Sequence, residues 1–132
     1  MTLAVITPTT GDEEMLKRCS ASVREAAAWV PAELLPVLHV VVGDGAALAS
    51  CLEGDARYLP ELMWTPARAG DAGATPRAIG STYALSRGVE GVFFLDDDNT
   101  ISPTHLKDAL DMALRGNVVV TSLRKLCHPD GR

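Results

Sequence analysis

The chain has 132 residues, 47% of them hydrophobic and 22% charged, with a formal net charge of −5. That length fits one globular domain with a radius of gyration of about 14 Å. The acidic balance and the scarcity of aromatic residues, two each of Trp, Tyr and Phe, oppose a nucleic-acid surface, and no apolar run approaches the roughly 18 residues that span a bilayer.

Residues 3–6, Leu-Ala-Val-Ile, predict a buried strand that stops at Thr7, Pro8, Thr9, Thr10 and Gly11. The start lacks the basic region of a signal peptide, which points to a cytoplasmic protein. Asp12, Glu13 and Glu14 crowd the first turn of a helix, where the macrodipole favours acid. Met15, Cys19, Val23, Ala26 and Val30 recur at helical spacing up to Pro31. Residues 37–42 read as a second buried strand, halted by Gly43, Asp44 and Gly45, and residues 46–52 as a short helix closed by Gly54. A weaker strand is expected over 58–64, followed by a glycine-bearing loop over 65–75 whose composition suggests mobility. Thr75 as N-cap and Pro76 as first helical residue then open a helix that Gly88 closes.

Residues 92–95, Val-Phe-Phe-Leu, predict the next strand, and Ser102 with Pro103 repeats the cap-then-proline signal for a helix carrying Leu106, Leu110 and Leu114 before Gly116. A final strand over 118–121 and a polar tail over 123–132 complete the series, so the division is a domain over 1–122 and a tail over 123–132. Near-continuous apolar strands alternating with helices imply an α/β fold, a mostly parallel sheet with helices on both faces. Cys19, Cys51 and Cys127 are odd in number and form no close pair, which opposes a disulfide framework or a structural zinc site and leaves them expected as buried thiols. His39 falls inside an apolar strand, as a satisfied core residue would, and His105 has no partner at ligand spacing.

The most informative stretch follows the strand at 92–95, where four apolar residues end abruptly in Asp96, Asp97, Asp98 and Asn99. Adjacent carboxylates repel unless a cation occupies the site, and a hard divalent ion with oxygen ligands, Mn²⁺ or Mg²⁺, suits them. Such ions keep waters and reach substrate phosphates, so the triplet points to phosphate or nucleotide chemistry. In parallel α/β sheets ligands bind beyond the carboxyl ends of the strands. Residues 7–10, 43–45 and 96–99 all belong to that edge. Asp44, set between two glycines, is either a polar turn or an acceptor for a ligand's N–H or hydroxyl. Arg77, in the first turn of a helix where a cation is disfavoured, suits an anion contact.

Val5-Ile6-Thr7-Pro8-Thr9, Val41-Val42-Gly43-Asp44-Gly45, Thr75-Pro76-Arg77-Ala78-Ile79-Gly80 and Phe94-Leu95-Asp96-Asp97-Asp98-Asn99 together resemble the nucleotide-binding half of the family 2 inverting glycosyltransferases. The resemblance implies a Rossmann-like GT-A fold that binds a nucleoside-diphosphate sugar, UDP-sugar favoured, through Mn²⁺ or Mg²⁺, for transfer to an acceptor that the sequence does not identify. It implies nucleotide binding by Pro8, Thr9, Asp44, Arg77 and Asp97, and a DXD-type metal site at Asp96 and Asp98. Gly43 stands where many relatives carry another Asp, which implies altered base recognition. The family's general base and acceptor site follow the strand after the metal motif, so the expectation is a domain truncated there, with no residue here assigned as base.

Three alternatives compete. A non-catalytic nucleotide-sugar-binding module, or an enzyme fragment that needs a partner, would use the same residues, and exposed apolar surface on such a domain would admit a homodimer. Asp96 through Thr100 also match the DxDxT pattern of haloacid-dehalogenase-like phosphatases, where Asp96 would be nucleophile and Asp98 general acid. That motif usually lies on a first strand and needs a later acidic pair, neither of which this sequence offers. A receiver-like domain would need acids after strand one, where Thr-Pro-Thr-Thr stands.

Overall fold

A computed structural model describes residues 3–49 and 52–116. In chain order these form β1 (Leu3–Thr9), α1 (Glu13–Ala27), a 3-10 turn (Ala32–Leu34), β2 (Val37–Gly43), β3 (Tyr58–Trp64), α2 (Ala74–Ser86), β4 (Gly91–Phe94) and α3 (His105–Leu114). The four strands make one sheet in the order β3-β2-β1-β4, and every pairing is parallel. The expected α/β sheet with helices on both faces is therefore present. The strand predicted at 118–121, the tail at 123–132, Cys51 and Cys127 lie outside the described residues.

The period of two along a strand explains why β1 and β2 are apolar almost throughout. Leu3 and Val5 of β1 and Val37 of β2 pack with Cys19, Val23 and Ala26 of α1 and Leu106 of α3. The intervening Ala4, Ile6, Leu38, Val40 and Val42 pack on the other face with Ala84 of α2 and Val89. Because each residue parity meets its own helical layer, a polar side chain on either face of the central strands needs a hydrogen-bond partner within the core. Chain order turns outward at β3 and resumes at β4 on the far side of β1. The switch point in strand order is thus the β1–β4 boundary, where such folds place their ligands.

Several boundaries move from their predicted positions for local reasons. Both β1 and β2 run on through Thr9 and Gly43, because the parallel ladder pairs Thr7, Pro8 and Thr9 with Val41, Val42 and Gly43. In α1 the Asp12 carboxylate caps the Met15 N–H at 3.0 Å, and the buried face is Leu16, Cys19, Ser20, Val23, Ala26 and Ala27. Leu16 replaces Met15 as its first member. The helix expected over 46–52 is not found at 46–49 or 52, which carry no regular structure.

Helix α2 begins two residues early, with Gly73 as N-cap at φ 87. The side chain that receives the Thr75 N–H is Asp71, at 3.1 Å, so Thr75 is a capped residue rather than the cap, and Pro76 sits in the third helical position. In α3, Ser102 and Pro103 open a turn closed by His105 N–H to Ser102 O at 3.1 Å, and the helix proper starts at His105.

Gly80 sets how closely α2 approaches the sheet, since a Cβ there would meet Ile6 Cγ2 at 2.6 Å and Val42 Cγ2 at 3.2 Å. Gly80→Val is expected to destabilise the domain by about 1–3 kcal/mol through overpacking. Urea denaturation checks this as a lower midpoint at unchanged m-value.

A polar chain crosses the core under α1. Thr7 Oγ1 lies 2.8 Å from His39 Nε2, His39 Nδ1 lies 2.7 Å from the Tyr58 hydroxyl, and that hydroxyl lies 2.7 Å from Ser20 Oγ. His39 is fully buried with both ring nitrogens engaged, the satisfied core histidine that its strand position predicts. Burial holds its pKa down at about 3, so the ring is neutral, with one nitrogen donating and the other accepting.

Candidate functional site

The carboxyl edge of the sheet carries a cleft of about 300 Å³. Every site residue expected from the sequence lines it: Pro8 and Thr9 at the end of β1, Asp44 just past β2, Arg77 in the first turns of α2, and Asp96, Asp97 and Asp98 after β4. Parallel pairing of β1 with β2 and β4 brings these loops to one edge. The chain reversal after β4 is fixed by Leu95 N–H donating to Ile6 O at 3.0 Å and Asn99 N–H donating to Asp96 O at 3.1 Å.

The three consecutive aspartates have three different surroundings. Asp96 accepts from the Arg77 guanidinium at 2.6 Å. That contact places Arg77 beside a carboxylate and holds in an ion pair the group that a phosphatase would need as a free nucleophile. Asp97 accepts from Thr9 Oγ1 at 2.7 Å, and Thr9 Oγ1 in turn accepts from Gly11 N–H at 3.0 Å, which ties the acidic turn to the end of β1. Asp98 is exposed and has no hydrogen bond or ion pair among the described residues.

Among the described residues no three carboxylate, histidine or cysteine side chains are gathered into a ready metal cage. The donor set still suits a hard divalent ion that binds through one or two carboxylates and completes its shell with water and phosphate oxygens. Asp98 is free to serve as such a ligand, and Asp96 carries a second, partly engaged carboxylate.

Asp44 is nearly buried, and its carboxylate accepts Ala69 N–H at 2.8 Å and Gly70 N–H at 3.1 Å. The loop expected to be mobile is thereby tied to the end of β2, and its other end is held by Asp71, which the Thr75 hydroxyl and N–H keep below the usual carboxylate range. Arg77 Nη1 donates to Ala72 O at 2.9 Å, fastening the same loop to α2.

One charged lining residue is absent from the sequence-based set. Arg68 enters the cleft from the 65–75 loop, and its guanidinium has no partner among the described residues. The one available signal was a cation in a loop that leaves the carboxyl end of a parallel strand. The cleft as a whole sets four carboxylates against two guanidinium groups, an arrangement that accepts a cation and an anion together.

No family model and no curated protein matches the sequence. Solved structures do. The fold is similar to that of S. aureus TarS 1–349. The TM-score is 0.61 at 22% sequence identity, over 87% of this chain and 33% of that one. The chain thus spans about a third of the TarS structure. At that identity the likeness is one of fold, the parallel α/β sheet with helices on both faces that the two chains share. No helix among the described residues is long and apolar enough to cross a membrane.

Proposed function

We propose that the domain binds a nucleoside-diphosphate sugar, with a UDP-sugar favoured, together with Mn²⁺ or Mg²⁺, as the donor-binding part of a family 2, GT-A-type glycosyltransferase acting on an acceptor yet to be identified. The observation that carries this reading is convergence. Seven residues chosen from four separated sequence segments line one cleft at the switch point of a parallel sheet whose fold is similar to that of TarS.

In this reading Thr9 and Asp44 hold the nucleobase and ribose, beside Pro8. Each Asp44 oxygen has accepted one backbone N–H and keeps a second acceptor direction for a nucleoside hydroxyl or imide N–H. Asp97, oriented by Thr9, contacts the ribose. Arg77 contacts the base or the diphosphate, and Asp96 and Asp98 hold the divalent ion. When bound, that ion supplies neutralisation of charge on a departing nucleoside diphosphate.

Calorimetric titration of the chain with UDP and with GDP, each with and without Mn²⁺, tests the reading. Metal-dependent binding of one nucleotide is the expected result, and a folded sample that binds neither contradicts it. Asp44→Ala is expected to weaken uridine binding with or without metal, on the order of tenfold for one lost charge-assisted contact. An unchanged uridine affinity would remove Asp44 from the nucleoside site.

A further inference from the structure

The cleft contains two guanidinium groups that differ in commitment. Arg77 is held by Asp96 at 2.6 Å and by Ala72 O at 2.9 Å. Arg68 lines the same cleft, is exposed, and has no side-chain hydrogen bond or ion pair among the described residues. Four carboxylates also line that cleft, and none of them pairs with Arg68.

The backbone that carries Arg68 is fastened to the end of β2. Thr65 N–H donates to Gly43 O at 3.0 Å, Gly45 N–H donates to Thr65 Oγ1 at 2.8 Å, and the Asp44 carboxylate receives the N–H groups of Ala69 and Gly70, the two residues after Arg68. Gly45 lies directly against the Arg68 backbone: a Cβ there would come 2.5 Å from Arg68 N, and its φ of +70 already favours glycine. A loop held at both flanks presents its arginine to the cleft with part of the ordering cost already met by folding.

We infer that Arg68 is the cleft's diphosphate-binding cation, and that the clamp of Asp44 on Ala69 and Gly70 positions it. The planar fork of a guanidinium matches phosphate oxygens in bidentate geometry, and Arg68 has all five donors uncommitted among the described residues for that contact, whereas Arg77 already donates to Asp96 and Ala72. The inference rests on the nucleotide-sugar reading and deepens it by assigning the diphosphate to a residue outside the sequence-based set.

The test titrates wild type, Arg68→Ala and Arg68→Lys with UDP, uridine and inorganic pyrophosphate in the presence of Mg²⁺. Arg68→Ala is expected to weaken UDP and pyrophosphate by roughly 10-fold to 100-fold while leaving uridine within about twofold, with partial recovery in Arg68→Lys. Wild-type UDP affinity in Arg68→Ala overturns the inference, and so does an equal loss of uridine, which would mark Arg68 as structural. If wild type binds pyrophosphate through Arg68 but does not bind UDP, the nucleotide reading fails and the anion site stands. If wild type binds neither, both fail.

Discussion

Asp98→Ala is expected to abolish Mn²⁺-dependent UDP binding, weakening it roughly 100-fold or more, while leaving the unfolding free energy within about 0.5 kcal/mol of wild type. The two halves of this expectation come from one feature. Asp98 is exposed and makes no hydrogen bond or ion pair with a described residue, so the folded protein loses nothing when its carboxylate is removed. Its neighbours are poorer probes, because Asp96→Ala also frees Arg77 and Asp97→Ala also frees Thr9. Calorimetry with and without Mn²⁺, beside a urea melt, separates ligand loss from unfolding. Retained Mn²⁺-dependent binding in a stable Asp98→Ala protein would withdraw Asp98 from the metal site.

Acid is expected to destabilise the domain through His39. Its ring is neutral in the fold, with a pKa lowered by burial from 6.5 to about 3. Between those values the unfolded chain takes up a proton that the folded chain does not. Stability is therefore full above pH 6.5 and falls as pH drops toward 3, by about 1.4 kcal/mol per unit, or about 3 kcal/mol by pH 4.

The other titratable groups of the cluster stay uncharged across this window, since burial raises Cys19 to about 11 and also pushes Tyr58 above its ordinary value. His39→Gln isolates the effect. That variant is expected to be less stable than wild type at pH 7.5, where it loses part of the Thr7 and Tyr58 network, with a gap that narrows as pH falls. Parallel stability profiles for the two proteins would show that His39 does not carry the acid sensitivity.

The sheet was legible in the sequence because each central strand is apolar on both parities, and only a two-sided parallel sheet gives that pattern a use. The site was legible for a related reason: polar clusters that interrupt such strands must collect at one edge, and Pro8, Thr9, Asp44 and Asp96 to Asp98 do so. Helix starts were less legible, because a cap is defined by a side chain's reach. Asp71 caps Thr75 from four residues upstream, although the cap-then-proline pattern of Thr75 and Pro76 points to Thr75 as the cap.

Loop order was the least legible feature. Glycines at 70 and 73 suggest mobility, whereas the clamp that orders the loop comes from Asp44, distant in sequence. Arg68 is illegible for the same reason, since its position beside the cleft depends on that clamp and not on any pattern in its own segment.

The central claim is that nucleotide and metal meet at the carboxyl edge of β1, β2 and β4. It is tested most directly by amide chemical-shift mapping of the ¹⁵N-labelled chain titrated with UDP and Mg²⁺. The account predicts metal-dependent shifts concentrated at Thr9 to Gly11, Asp44, Arg68 to Gly73, Arg77 and Asp96 to Asn99, with the α1 and α3 faces unmoved. Shifts centred elsewhere, or a spectrum unchanged by saturating nucleotide and metal, would contradict it.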